Sequence, residues 1–202
     1  MRTLVIDTAT RACSVALFDD DRPVAAQFEV IGRGHAERLL PLIASLPGQG
    51  KADKIMVNTG PGSFTGIRVG VAAAKALGLA WRIEVHGYGC LALVAAMGQS
   101  QDDASGPIDV VMTGGHGEYF FEAFDEAGQS VSPARSVLPE QLNQLLTAGV
   151  VAGDIDPPSG DRVWFETLPD ARQWHLISAR AALHPVPIYG RAPDAKPAAI
   201  RP

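Results

Sequence analysis

Asn58-Thr-Gly-Pro-Gly-Ser-Phe-Thr-Gly-Ile-Arg-Val-Gly70 joins two segments of opposite character. Before it, Lys54-Ile-Met-Val-Asn-Thr59 is a short apolar run that reads as a buried strand; after it, residues 66–81 carry the spacing of a helix. A glycine-rich loop feeding a helix N-terminus favours an anion, because free N–H groups and the helix dipole point at it. The spacing argues the other way. A Walker loop needs a second Gly five residues after the first, then Lys and Ser/Thr; from Gly60 that position is Thr65, and from Gly62 it is Ile67. A dinucleotide fingerprint needs Gly at 65, where Thr stands. The alternative is a tight turn in which Ser63 or Thr65 caps the helix.

The helix carries a second pattern. Gly66, Gly70, Ala74 and Gly78 recur every four residues and lay nearly bare backbone along one side. Glycine inside a helix costs about 0.5–1 kcal/mol relative to alanine, so the stripe implies close packing against a partner. That partner is either another part of this chain or another subunit. Ile67, Val71 and Leu77 on the other side suffice to pack on a sheet.

Working outward, Thr3–Asp7, Cys13–Phe18 and Val24–Val30 read as strands, with Asp19-Asp-Asp21 a solvated hairpin turn. His35–Leu46 reads as a helix with Leu39, Leu40, Ile43 and Leu46 on one face and Pro41 marking a kink or its first turn. After the loop come a strand at 82–86 and a helix over 88–97. The order is β-β-β-α-β-α-β-α.

Gln99-Ser-Gln-Asp-Asp-Ala-Ser-Gly-Pro107 is polar and turn-rich and marks the domain boundary, dividing the chain into 1–103 and 104–202. The pattern then begins again. Strands are expected at 108–112, 118–124 and 129–137, a helix at 139–146, short strands at 150–152 and 163–165, and a final helix at 174–183. Only Gly153-Asp-Ile-Asp-Pro-Pro-Ser-Gly-Asp161 separates the two short strands, too few residues and too much proline for a crossover helix. The second half therefore repeats the first with one helix missing. Residues 185–202 suggest a loosely held Pro/Ala-rich tail in which Val186–Tyr189 could add an edge strand.

Composition bounds the chemistry. A chain of 202 residues, 47% hydrophobic and without about 18 uninterrupted apolar residues, reads as a soluble globular protein, with the cytoplasm as its default location. Cys13 and Cys90 have no metal-like spacing, and no two of the five histidines stand four apart, which excludes a helical His-x-x-x-His site. A net charge of −5 with no basic run makes tight nucleic-acid binding by this chain alone improbable.

Leu4-Val-Ile-Asp-Thr-Ala-Thr-Arg-Ala-Cys-Ser-Val-Ala-Leu17, His35-Ala-Glu-Arg-Leu-Leu-Pro-Leu-Ile43 and Gly60-Pro-Gly-Ser-Phe-Thr-Gly-Ile-Arg-Val-Gly70 resemble, in order, the TsaB (YeaZ) family. They cover the first half of the chain. The second half matches weakly: Thr113-Gly-Gly-His-Gly-Glu-Tyr119 stands where the family has an Asp-Ala-Arg-Arg-like strand end, and Pro187-Ile-Tyr-Gly-Arg191 approximates Pro-x-Tyr-Leu-Arg. The resemblance implies a duplicated fold of the actin, Hsp70 and sugar-kinase (ASKHA) type. It implies a non-catalytic subunit of the machinery that places threonylcarbamoyl on the adenosine next to the anticodon of tRNAs reading codons that begin with A. The implied partners are the catalytic paralogue TsaD, the ATPase TsaE and, alone, a second copy; tRNA is met only through the complex. Pairing is implied through the first-domain helices, here by Leu39, Leu40, Ile43, Gly66, Gly70, Ala74 and Gly78. No cofactor is implied for the chain alone, and Mg-ATP only in the assembled complex.

A kinase or ATPase of the same superfamily is the alternative. It would use Asp7, Thr8 and Thr10 after the first strand with Gly62 and Ser63 of the loop, but the glycine that lets backbone approach a phosphate is absent there. An Asx turn explains Asp7 equally well. His35 reads as an N-terminal helix residue, with no nucleophile or second ligand at a motif-like spacing. A metallopeptidase reading lacks a pair of metal ligands.

Overall fold

The computed structural model describes residues 1–156, 160–180 and 182–190. β1 (Arg2–Asp7) and β2 (Ala12–Asp19) form an antiparallel hairpin with Leu4 opposite Leu17 and Ile6 opposite Val15. Asp20 turns the chain in the left-handed region and accepts from the N-terminal amine at 2.9 Å, as a solvated hairpin end should. β3 (Arg22–Val30) follows, then α1 (His35–Ser45), β4 (Lys54–Asn58), α2 (Phe64–Trp81) and β5 (Glu84–Tyr88). β4 and β5 run parallel to β1, giving the strand order β3-β2-β1-β4-β5.

Period-two alternation divides this sheet's residues between two cores. Leu4, Ile6, Val15 and Leu17 face α1 and α2, meeting Leu39, Ile43, Ile67 and Ala74. Val5, Ala16, Phe18 and Met56 face the other way and meet Trp174 and Ile177 of a 3-10 helix, Ala171–Ile177. Phe18 and Trp174 pack edge to face at 5.5 Å.

The second half repeats the order. β6 (Ile108–Thr113), β7 (Tyr119–Phe124), β8 (Arg135–Val137), α4 (Pro139–Leu145), β9 (Val150–Gly153) and β10 (Val163–Glu166) build a sheet ordered β10-β9-β6-β7-β8, the same permutation. The fold is a duplicated α/β architecture with a shortened second unit. β9 and β10 pair in parallel although residues 154–162 hold no helix among the described residues. Strands of four residues make that return short, about 13 Å at 3.3 Å per residue.

α3 (Cys90–Gln99) lies between the two sheets. Leu91, Val94 and Ala95 join the core over β6 and β9, while Leu93 joins Phe18 and Trp174. A helix buried on two sides has to be apolar nearly all round, as Cys90-Leu-Ala-Leu-Val-Ala-Ala-Met97 is. α4 covers the opposite face of the second sheet through Leu142, with Leu146 just past its end.

Several expectations change. The strand expected at 129–137 shrinks to Arg135–Val137, because Pro133 lacks the N–H a ladder needs; Ser130 makes only an isolated bridge to Phe124. The helix expected at 174–183 is the 3-10 turn Ala171–Ile177, entered through Asp170, whose Oδ1 accepts from Arg172 N at 2.9 Å. α1 ends at Ser45, since Pro47 holds Leu46 extended. Val186–Tyr189 forms no strand. Residues 182–190 are an irregular strap, tied to Gly87 through Leu183 and to the Thr59 carbonyl through Ile188 N at 2.7 Å. The tail beyond Gly190 lies outside the described residues.

Candidate functional site

The glycines of the opening loop are taken up by the chain's own backbone. Ser63 N donates to the Ala9 carbonyl at 2.6 Å, and a Cβ on Gly62 would lie 2.1 Å from that same oxygen. Ser63 Oγ accepts from Gly66 N at 3.2 Å and so caps α2, the simpler of the two sequence readings. Thr8 Oγ1 donates to the Gly66 carbonyl at 2.7 Å.

The small-residue stripe follows the same logic. A Cβ on Gly66 would stand 2.1 Å from the Thr8 carbonyl oxygen, one on Gly70 2.4 Å from Thr8 Oγ1, and one on Gly78 2.4 Å from Val85 Cγ2. Ala74 is fully buried. The partner that approaches this bare backbone is the sheet beneath it. Gly66, Gly70, Ala74 and Gly78 thus pack within this chain, as do Leu39 and Ile43, which are 1% and 3% exposed in the first core. Leu40 alone of that set points outward, 53% exposed.

The outer faces of the two helices carry what the stripe obscured. On α1, Ala36, Leu40 and Ala44 are exposed at four-residue spacing; on α2, Ala72, Ala76, Leu79 and Ala80 are exposed. Leu79 is 83% exposed, the most accessible large apolar side chain among the described residues. The signal was present in the sequence as a second small-residue repeat, Ala72, Ala76 and Ala80, offset from the first by two residues.

Asp7 lies at the end of β1 but faces inward. It is 1% exposed; Oδ1 accepts from Ala9 N at 3.1 Å, and Oδ2 accepts from Asn58 Nδ2 at 2.6 Å and the Tyr88 hydroxyl at 2.9 Å. Burial raises its pKa to about 7, outweighing three donors that each favour the carboxylate. Ser14 Oγ accepts from Ala171 N at 3.0 Å, and Thr8 is fully buried. The five residues proposed for nucleotide thus separate: Asp7 and Thr8 are internal, while Thr10, Gly62 and Ser63 line a cleft. A catalytic, Mg-holding role for Asp7 has no geometric support. His35 is 7% exposed with Nε2 at 3.1 Å from the Ala12 carbonyl, a structural tie at the start of α1.

The cleft, about 1060 Å³, lies between the β1–β2 turn and the first turn of α2 on one side and the loop after β6 on the other. Arg11 crosses it to Asp154 at 3.5 Å and Glu166 at 3.7 Å, while Asp154 Oδ1 also accepts from Thr113 N at 2.6 Å. At its mouth, Arg68 stacks 3.6 Å over Phe64 and donates through Nε to the Tyr189 hydroxyl at 2.8 Å. Among the described residues no nucleophile and base meet there in hydrogen-bond contact with an orienting third group. Among the described residues no group of three or more His, Cys, Asp or Glu is placed to hold a metal ion, and no helix is long and apolar enough to cross a membrane.

Comparison with known proteins places this arrangement. The family described as TsaD, tRNA N6-adenosine threonylcarbamoyltransferase, matches residues 28–153. The tRNA threonylcarbamoyladenosine biosynthesis protein TsaB of Escherichia coli K12 is 40% identical over 100 residues, 47% of this chain and 43% of that protein. Its Bacillus subtilis counterpart is 33% identical over 54% of this chain and 49% of its own. The matches thus span about half the length of those two relatives. An uncharacterised Mycobacterium tuberculosis protein is 32% identical over 98% of this chain and 95% of its own. Among solved structures, YeaZ from Pseudomonas aeruginosa superposes with a TM-score of 0.77 at 25% identity, covering 93% of this chain and 99% of that one. Sequence motifs, matched family and superposed fold agree: the chain belongs to the TsaB (YeaZ) family.

Proposed function

We propose that this protein is a non-catalytic subunit for threonylcarbamoylation of the adenosine beside the anticodon, acting in the cytoplasm by docking a TsaD-like paralogue on the outer faces of α1 and α2. The observation that carries the reading is the exposed apolar surface of Leu40, Leu79 and the alanines at 36, 44, 72 and 76, set on two helices whose inner faces are rigidly packed. Small residues on a helix face admit another helix closely, and two leucines supply anchors that a monomer leaves wet. The inward-facing, fully engaged Asp7 supports the absence of catalysis by this chain alone. Two relatives, 40% and 33% identical over about half of this chain, are named as tRNA threonylcarbamoyladenosine biosynthesis proteins. The same surface serves a homodimer when the paralogue is absent, and a TsaE-like ATPase joins the assembled pair, where any Mg-ATP is held. With a net charge of −5, contact with tRNA falls to the partners.

Size-exclusion chromatography with light scattering, alone and with the TsaD-like paralogue of the same organism, tests the reading. Leu79→Arg is expected to leave the thermal midpoint unchanged and to abolish both homodimer and heterodimer. A heterodimer that survives Leu79→Arg and Leu40→Arg together refutes the surface assignment; a wild-type protein that ignores the paralogue refutes the function.

A further inference from the structure

One hydroxyl in the core of the first unit faces two acceptors with a single proton to give. Tyr88 Oη lies 2.9 Å from Asp7 Oδ2 and 3.2 Å from the Ile6 carbonyl oxygen. A phenol carries one donor proton and also accepts, so both oxygens are served at once only if Asp7 brings a proton of its own. The other contacts of the carboxyl fix where that proton sits. Oδ1 accepts from Ala9 N at 3.1 Å, while Oδ2 faces the phenol and Asn58 Nδ2 at 2.6 Å. Two arrangements follow. With Asp7 ionised, Tyr88 donates to Oδ2 and gives up the Ile6 carbonyl. With Asp7 neutral, its Oδ2 hydroxyl donates to Tyr88 Oη, and the phenolic proton turns to Ile6. Neither leaves the carboxyl or the phenol without a partner, which is what a buried polar pair requires. The surroundings leave the choice open. Around Asp7 stand Cys13 of β2, Tyr88 of β5, Cys90 at the start of α3 and Asp170 ahead of the 3-10 helix, and none of these is a cation. Burial holds both thiols and the phenol above their ordinary pKa values, so they stay neutral where Asp7 titrates, and Asp170 is ion-paired with Arg172 at 2.6 Å. Burial favours the acid form of Asp7 and three donors favour the carboxylate, which leaves its pKa at about 7.

We propose that Asp7 and Tyr88 form a buried proton switch, in which uptake of one proton from solvent at Asp7 Oδ2 turns the Tyr88 hydroxyl from Asp7 to the Ile6 carbonyl and its release turns it back. The switch sits at the foot of the loop that enters α2, because Asn58 joins the two: its Nδ2 donates to Asp7 Oδ2 and its Oδ1 accepts from Gly60 N at 2.8 Å. Protonation of Asp7 converts the bond from Asn58 from a charge-assisted one to a neutral one, roughly half as strong. Nothing in this assignment depends on the outer faces of α1 and α2, so it stands or falls separately from the docking reading.

Carbon-13 NMR on the full chain between about pH 5 and about pH 9 tests it. The Asp7 carboxyl carbon, Tyr88 Cζ and the Ile6 carbonyl carbon are expected to titrate together, with one shared midpoint at about 7. In Asp7→Asn, the Tyr88 and Ile6 signals are expected to lose that step. In Tyr88→Phe, Asp7 is expected to titrate at a higher midpoint while the Ile6 signal no longer follows it, because the hydroxyl that links them is gone. This second variant also covers the case in which Asp7→Asn fails to fold. The proposal is overturned by a carboxyl carbon that stays at its ionised or at its protonated position across the whole range, by a Tyr88 or Ile6 signal that is flat through the Asp7 step, or by an Ile6 step that persists undiminished in Tyr88→Phe.

Discussion

Replacing Asp7 by Asn should flatten one component of the protein's pH dependence by an amount that the structure sets. The carboxyl is fully buried among Ala9 N, Asn58 and Tyr88, and its pKa stands at about 7 against 3.8 for the free side chain. The raised value means that the folded state holds the proton more tightly than the unfolded one. Stability from this group is therefore complete below pH about 4 and declines as pH rises, until it levels off above pH about 7. At 1.36 kcal/mol per unit the full loss is about 4 kcal/mol, of which about 2.5 falls between pH 5 and pH 8. The substituted side chain cannot ionise, and whatever hydrogen bond its amide disrupts is a pH-independent offset of about 1–2 kcal/mol. Urea unfolding of both proteins at pH 5 and pH 8 isolates the effect, since every other titrating group cancels in the double difference. The variant should gain about 2.5 kcal/mol on wild type over that interval. A difference constant to within about 0.5 kcal/mol would show that Asp7 is ionised throughout, with its three donors outweighing burial.

Removing one of those donors, in Tyr88→Phe, should raise the Asp7 pKa further, seen as a later transition in the carboxyl carbon shift by NMR. Gly66→Ala should lower stability by about 3 kcal/mol or more in urea unfolding, despite alanine's helix preference of about 1 kcal/mol, because the new methyl would meet the Thr8 carbonyl at 2.1 Å. Trp174→Ala should cost about 3–5 kcal/mol by the same measurement, since its ring is 2% exposed and packs against Phe18 beneath the first sheet. Arg11→Ala should cost less than about 1 kcal/mol, because the Arg11 side chain is 43% exposed.

The first unit was legible almost residue by residue because its signals are strong and local. β1 and β2 are mostly apolar runs, the triple-aspartate turn after β2 marks the entry to β3, and Ser63 caps α2 where the cap rule expects it. Prediction failed where tertiary packing overrode pattern. Gln129–Val137 alternates like a strand, yet Pro133 splits it and only three residues pair. Trp174–Leu183 has helical composition, but Trp174 and Ile177 both have to reach beneath the first sheet, and a short 3-10 turn sets them there. The covering role of this segment is invisible in the sequence, since it depends on contact with strands more than 100 residues earlier.

α2 shows why the candidate site was the harder half. Its sequence offers two small-residue stripes, Gly66-Gly70-Ala74-Gly78 and Ala72-Ala76-Ala80, and a helix apolar on both sides gives periodicity no preferred face. The deciding quantity is distance. Thr8, just past β1, and Val85 of β5 come within 2.1–2.4 Å of where a Cβ on Gly66, Gly70 or Gly78 would sit, so only glycine fits at those three positions. Alanine suffices on the other side, where no part of the described chain approaches that closely. The glycine-rich stripe thus marks a contact made within the fold, whereas the alanine-rich stripe with its exposed leucine is the face on which the proposed docking rests. Gly70→Leu consequently probes folding, and Leu79→Arg probes association. If Gly70→Leu folded with wild-type stability and lost only its partner, the two faces would have been assigned in reverse.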